Sequence, residues 1–359
     1  MRNFVMLILF ILTACASVQY REQSRIPLDI ELFNQSDYID IVYENNKFSY
    51  VSYLKKDHNN LGISLKCPDE TPIFEIKNGV WVWNLDKIQN IQQFFDYLTS
   101  LKIKRVYVQI EDNIEKFNDF LKLGNKFNIE IFALDGSASY VNTPEILYKR
   151  VREVIEFNKK NPYKFKGFQV DVEPYLLKDF NIKKTEYIEK YLNMLQHLRT
   201  LSEDQILINV VIPFWFDQIQ HAEKSVLFYI FEFADEVTVM SYRTNLEEIL
   251  QISEDELCVG AIIHKPVYLG LEINYLPDEQ HYVITKDNLK NFLIKQKNDV
   301  YINESTVKQI PHRFYFVNSD KITFYKDKKK ALEILKITPM RKSFSGWIIH
   351  SYEALEHER

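Results

Sequence analysis

Several devices that would assign a chain at a glance are missing from this one. There is no Gly-rich phosphate turn after the first strand-like run, which leaves a doubly wound nucleotide-binding sheet without its usual anchor. No CxxC pair and no HExxH occur, so a zinc site has no support, and no metal or cofactor is expected. Lys and Arg form no dense patch and the net charge is -5, so the electrostatic footprint of a nucleic-acid binder is absent. The apolar run from Phe4 to Leu12 is too short to span a bilayer as a mature helix. Cysteine is scarce: Cys15, Cys67 and Cys258 are all there is.

What is present belongs to a folded protein. With 46% apolar and 26% charged residues over 359 positions, the chain can bury one large α/β barrel or two ordinary domains. The 22 Tyr and 25 Phe exceed what a core requires and suit a cleft that stacks on sugar rings. A Tyr- and Phe-rich core under a bias towards Lys, Asn and Ile explains most of them equally well. At the start, Arg2 precedes the Phe4 to Leu12 run, and Leu12-Thr13-Ala14-Cys15 follows it. This resembles the lipobox of bacterial lipoproteins, which implies cleavage after residue 14, a lipid on Cys15 and an exported, membrane-anchored body. Without Cys15, Cys67 and Cys258 are read as two buried thiols, although export permits a disulfide between them.

Residues 15–77 read as a tether and a small N-terminal extension, with a hairpin from Tyr38 to Tyr43 and Phe48 to Tyr53. After Asn78, strand-like and helix-like runs alternate. The strands are Gly79 to Trp83, Arg105 to Ile110, Ile129 to Leu134, the stretch opening at Phe165, Ile206 to Phe214, Glu236 to Tyr242, Pro266 to Glu272 and Ser345 to His350. Helices are expected over Asp86 to Leu101, Ile114 to Phe127, from Thr143-Pro144-Glu145 onwards with Thr143 as the cap and Pro144 at the first helical position, Lys184 to Leu201, Ile219 to Phe233, and from Asn245. Between Asn274 and Arg341 lies a less regular passage, with helices near Lys286 to Gln296 and Lys326 to Leu335, the latter basic and read as a solvated face. Eight alternations over 78–359 fit a (β/α)8 TIM barrel with a short N-terminal extension.

In such a barrel, function sits at the C-terminal ends of the strands. Those ends carry Trp83, Asp135, Asp171, Glu173, Tyr175, Trp215, Tyr242, Arg243, Glu272 and His350, polar or aromatic groups after apolar strand bodies. The fourth strand is the most informative. Alternation puts Gln169, Asp171 and Glu173 on one side and Phe168, Val170 and Val172 on the other, with the two acids about 6.7 Å apart along an extended chain. Two acids so placed are costly in a core, so this strand is expected to end in a wet cleft.

Gly167-Phe168-Gln169-Val170-Asp171-Val172-Glu173 resembles the Asp-Gly-x-Asp-x-Asp-x-Glu signature of family 18 glycoside hydrolases, the chitinases and related endo-N-acetylglucosaminidases. Val239-Met240-Ser241-Tyr242 resembles that family's Met-x-Tyr on the sixth strand. The resemblance implies that Glu173 protonates the glycosidic oxygen, Asp171 orients the substrate's 2-acetamido group, and Tyr242 hydrogen-bonds the acetamido oxygen. The partner is then a β-linked N-acetylhexosamine glycan, cleaved with retention and without a metal. Three departures stand out: Lys166 replaces the first Asp, Gln169 replaces the middle acid, and His350 or Tyr352 replaces the late Trp of the eighth strand. They keep open a non-catalytic glycan-binding protein on the same frame. Of the remaining candidates, Gln169 and Tyr175 are read as substrate contacts, and Trp83 and Trp215 as sugar platforms or packing. Asp135 is a contact or a cap, Arg243 a clamp or a counter-ion of the acids, and Glu272 a strand-end contact.

Overall fold

The computed structural model describes residues 25–54, 65, 67–180, 183–203, 205–296 and 299–356. Cys15 and its expected lipidation lie outside them. Eight parallel strands close a barrel: β1 (Gly79–Val82), β2 (Arg105–Gln109), β3 (Glu130–Asp135), β4 (Gly167–Val170), β5 (Leu207–Pro213), β6 (Glu236–Met240), β7 (Val267–Glu272) and β8 (Phe344–His350). Each strand pairs with its neighbour in sequence, and β8 closes on β1. The expected (β/α)8 architecture is the one observed.

Side-chain alternation explains the barrel's two cores. Outward residues such as Val80, Val106, Phe168, Val170 and Val210 join the buried faces of the surrounding helices. On the helix Ile91–Ser100 these are Phe94, Phe95 and Leu98, and full burial of each contributes about 1.5–3 kcal/mol. Inward residues Trp81, Tyr107, Phe132, Leu134, Val211, Tyr268 and Ile348 fill the barrel itself. At the N-terminal end of the strands the filling is ionic. Arg105 donates to both carboxylate oxygens of Glu236 at 2.6 and 3.0 Å and pairs with Glu130 at 2.8 Å, while its guanidinium lies over the rings of Phe132 and Tyr268.

The extension is not a separate appendage. Tyr38–Glu44 and Lys47–Leu54 form the expected antiparallel hairpin, turned by Asn45 and Asn46, both with positive φ, a conformation Asn tolerates. Tyr38–Glu44 then pairs with Glu279–Thr285, which pairs with Arg313–Val317, so an insertion between β7 and β8 completes the hairpin's sheet. A second sheet joins Arg25–Leu28 to Asp299–Asn303 and Ile294–Gln296. Burial of Ile26, Phe33, Ile39, Ile41, Ile284 and Ile302 in one cluster fuses both halves into a single subdomain. The boundary expected at 77/78 therefore separates the barrel from only part of this subdomain, because strand pairing between distant segments leaves no local trace in the sequence.

Three further expectations change. Cys67 and Cys258 are joined by a disulfide, not left as two thiols, with Cα atoms 5.4 Å apart. The strap carrying Cys67 returns across the helix Glu254–Ile263, where Leu65 N and Cys67 N donate to Asp255 and Glu254. The helix expected over Lys286 to Gln296 stops at Lys290 and gives way to the strand Ile294–Gln296. Thr143 does not cap its helix; its hydroxyl bonds Ser139 O at 3.3 Å, and Pro144 takes the cap position before Glu145–Lys160.

Candidate active site

The fourth strand ends earlier than its alternation suggests, at Val170, and the two acids lie on the chain that continues from it. Asp171 N donates to Asp135 O at 3.1 Å, which holds this continuation against the end of β3. The contact needs Gly136: a Cβ there would fall 1.8 Å from Asp171 O. Beyond it, Glu173 leads into the turn Pro174–Leu176.

Asp171 and Glu173 are partly buried side by side. Asp171 Oδ1 is buried with no hydrogen-bond partner among the described residues. Burial first, and the neighbouring Glu173 second, push the Asp171 pKa from 3.8 up to about 7, with His350 opposing. Burial likewise raises Glu173, against the opposing effects of the Tyr175 hydroxyl and His350. Two half-buried carboxyls this close cannot both ionise cheaply, so the pair shares a proton as the pH nears 7. Such a pair can deliver that proton to a leaving oxygen.

Tyr242 and His350 form the opposite side. Their rings are parallel with centroids 6.1 Å apart, and Tyr242 lies within electrostatic reach of Glu272, Asp171 and Glu173. His350 is held at both nitrogens. Trp83 Nε1 donates to its Nε2 at 2.8 Å, and because an indole nitrogen only donates, the imidazole proton belongs on Nδ1, facing Glu272 Oε2 at 2.5 Å. Burial works against a charge on this ring, but Glu272, Asp171 and Glu353 outweigh it and raise the His350 pKa. A second proton, which these acids favour, is taken up at the cost of the Trp83 bond.

The structure sorts the remaining candidates. Trp83 is 37% exposed at the rim. Trp215 and Tyr175 meet edge to face at 5.1 Å beyond β5, with the Tyr175 hydroxyl beside Glu173. Glu272 is 1% exposed and lies behind His350, with Oε1 taking two bonds from Asn274, so it positions the imidazole and is not open to a ligand. Asp135 is occupied by Gln109, Gly136 N, Tyr140 and Arg150, an internal role in place of the expected contact. Arg243 turns away from the acids to Glu279 at 3.5 Å, where it joins a chain running through His281 to Asp40. It thus ties the rim to the inserted subdomain.

Gln169 requires the largest correction. It faces inward as alternation requires, but at 0% exposure it touches neither solvent nor Asp171 among the described hydrogen bonds. Its Oε1 accepts from Trp81 Nε1 at 2.6 Å, and its Nε2 donates to Asn209 Oδ1 at 2.9 Å and Thr238 Oγ1 at 3.3 Å. The amide is fully used in the barrel's middle layer, so it is no substrate contact. Two residues escaped the sequence reading. Trp81 is two positions before Trp83 on the same inward face, a period-2 signal, and its ring meets His350 edge-on at 5.4 Å. Glu353 accepts from the backbone N–H groups of Trp83 and Asn84, and nothing in the local sequence marks it.

No family model and no curated protein matches the chain. Among solved structures it is similar to the spore cortex-lytic enzyme SleL of Bacillus cereus, with a TM-score of 0.43 at 8% identity over 77% of this chain and 71% of that one. A chitinase from Bacteroides thetaiotaomicron gives 0.43 at 12% identity over 78% and 90%. An endo-β-N-acetylglucosaminidase from Cordyceps militaris gives 0.42 at 10% over 78% and 82%. Likeness at this level carries no argument: the barrel rests on the strand pairing, and the chemistry on the chain's own residues.

Proposed function

We propose that the chain is a glycoside hydrolase that cleaves a β-linked N-acetylhexosamine polymer, of the peptidoglycan or chitin kind, with retention of configuration and participation of the substrate's acetamido group. The observation that carries this reading is the half-buried Asp171–Glu173 pair, with raised pKa values and an unpartnered Asp171 Oδ1, at the C-terminal end of β4 in the stretch that resembles the family 18 signature. Glu173, whose pKa burial raises, is the acid for the glycosidic oxygen. Asp171 Oδ1 is a buried acceptor without a donor, and a turn of the carboxylate about its side-chain bond would present it to an acetamido N–H. That bond turns the acetamido oxygen towards the anomeric carbon, and the Tyr242 hydroxyl steadies it. Trp83 supplies an exposed ring at the rim for a sugar face.

A second reading, a glycan-binding protein without turnover, draws on the Gln169 network. With its amide locked to Trp81, Asn209 and Thr238, Gln169 cannot take up charge as the acid turns over, which a carboxylate at that position could do. Export on a lipid at Cys15 forms part of the proposal, supported by the Leu12-Thr13-Ala14-Cys15 box and by a disulfide suited to an oxidising compartment.

The test is release of reducing ends from peptidoglycan and GlcNAc oligomers by protein lacking residues 1–15. Cleavage should be lost in Glu173→Gln while sugar binding remains, and the first product should be the β-anomer. Binding without cleavage by the wild type favours the second reading, and an inverted product rules out acetamido participation.

A further inference from the structure

A groove of about 620 Å³ runs along the seam between the N-terminal extension and the loops after β4 and β5. Its volume falls within the roughly 300–1,000 Å³ of small-molecule sites. One wall comes from the extension, through Gln35, Val51 and Tyr53; the other comes from the barrel, through Tyr175, Trp215 and Gln218. The two walls are pinned to each other. Asp29 in the extension lies 3.6 Å from the Lys184 amine at the start of the helix Lys184–Ser202, and Asp29 N donates to the Tyr53 hydroxyl at 2.6 Å. The concavity is therefore built by the fold and does not depend on a ligand to form.

Two features indicate what would lie there. Tyr175 lines the groove and its hydroxyl bonds the Glu173 carboxyl, so one residue borders both the groove and the acid. The groove's cations are already matched, Lys184 by Asp29 and Lys183 by Asp179 at 2.7 Å, and Glu186 and Asp299 add acid to the lining, which leaves no field for an anion. Aromatic rings, amides and a lining without an unmatched lysine suit an uncharged, hydroxylated chain. The geometry points to a further run of sugar-binding subsites in which the N-terminal extension forms one wall, holding units of the same glycan beyond those at Asp171 and Glu173. This rests on the proposed reading of those acids as the cleavage site.

The experiment compares kcat/KM on GlcNAc oligomers from the dimer to the hexamer for the wild type, Trp215→Ala and Val51→Trp. The first variant removes a ring from the barrel wall and the second fills the groove from the extension, so a folding failure in one leaves the other as a test. The wild type should prefer the longer oligomers, and each variant should lower the hexamer-to-trimer ratio roughly tenfold, the loss of one buried aromatic contact. Unchanged ratios in both variants overturn the groove while leaving the cleavage reading intact. Calorimetric binding of the same oligomers to Glu173→Gln separates the two claims. Length-dependent binding that the groove variants abolish, where the wild type itself cleaves nothing, keeps the groove and sinks the enzyme. Absence of any oligomer binding sinks both.

Discussion

Two groups of buried charge sit at opposite ends of this barrel, and they are treated in opposite ways. At the N-terminal end, Arg105 meets Glu236 with two parallel hydrogen bonds, Glu130 with a third, and two aromatic faces; Lys77 then pairs with Glu130 at 2.7 Å. Every charge there has its opposite in contact. At the C-terminal end, two acids adjoin one another, one carboxylate oxygen has no partner, and the nearby imidazole is already committed to Glu272 and Trp83. Compensation makes the first group a structural plug. Its absence makes the second costly to fold, which is the pattern expected of groups kept for chemistry.

The contrast predicts that substitutions at the two ends separate activity from stability. Glu173→Gln should reduce kcat by about 10²–10⁴, the usual range for a lost general acid, with a melting temperature equal to or above that of the wild type. Loss of stability with activity retained would invert the comparison. Arg105→Met should do the reverse and destabilise the fold by about 3–5 kcal/mol, because Glu236 is left charged and buried, an outcome read by denaturant titration. A neutral result there would mean that the plug's aromatic lining alone suffices.

Asp171→Asn sharpens the comparison through pH. A carboxyl raised from 3.8 to about 7 in the folded state contributes stability that is present below about 4 and is lost as pH rises towards 7. The variant should therefore gain a few degrees in Tm over the wild type at pH 8 and no advantage at pH 4. His281, between Asp40 and Glu279, favours its charged form instead, yet its pH dependence has the same sign. Burial opposes its charge, but the two acids push its pKa from 6.5 up to about 9, so its contribution is complete below 6.5 and lost as pH climbs through 9. The smallest expected effect is that of His350→Gln. Its amide can still receive Trp83 and donate to Glu272, but the cationic form that lowers both acids is gone. The alkaline limb of the rate profile should move up by under about one pH unit. A downward shift would show that His350 acts on the acids by something other than charge.

Much of the site was legible because it lies on one short stretch. Alternation in Gly167 to Val172 correctly separated the inward Gln169 from the outward Phe168 and Val170, and it put the two acids at the end of the same strand. Alternation could not report depth. Gln169 and Asp171 share a face two residues apart, yet one is sealed between Trp81, Asn209 and Thr238 and the other borders the rim, because the strand ends between them. Glu272 and Arg243 show the same blindness. Each is polar at a strand end, but Glu272 turns under His350 and Arg243 turns outward to Glu279.

The local pattern of the chain was enough to determine the eight alternations, the barrel, and the acid pair that ends its fourth strand, because periodicity and motif spacing are properties of neighbouring residues. Tertiary structure alone decided the rest. It placed the N-terminal hairpin against an insertion more than two hundred residues away, brought Cys67 to Cys258, and turned the seam beside Tyr175 and Trp215 into a groove. It also left Asp171 Oδ1 without a partner while giving Arg105 several. Which buried charges are met and which are left wanting depends on residues distant in sequence, and so only the closed barrel could separate a structural charge from a reactive one.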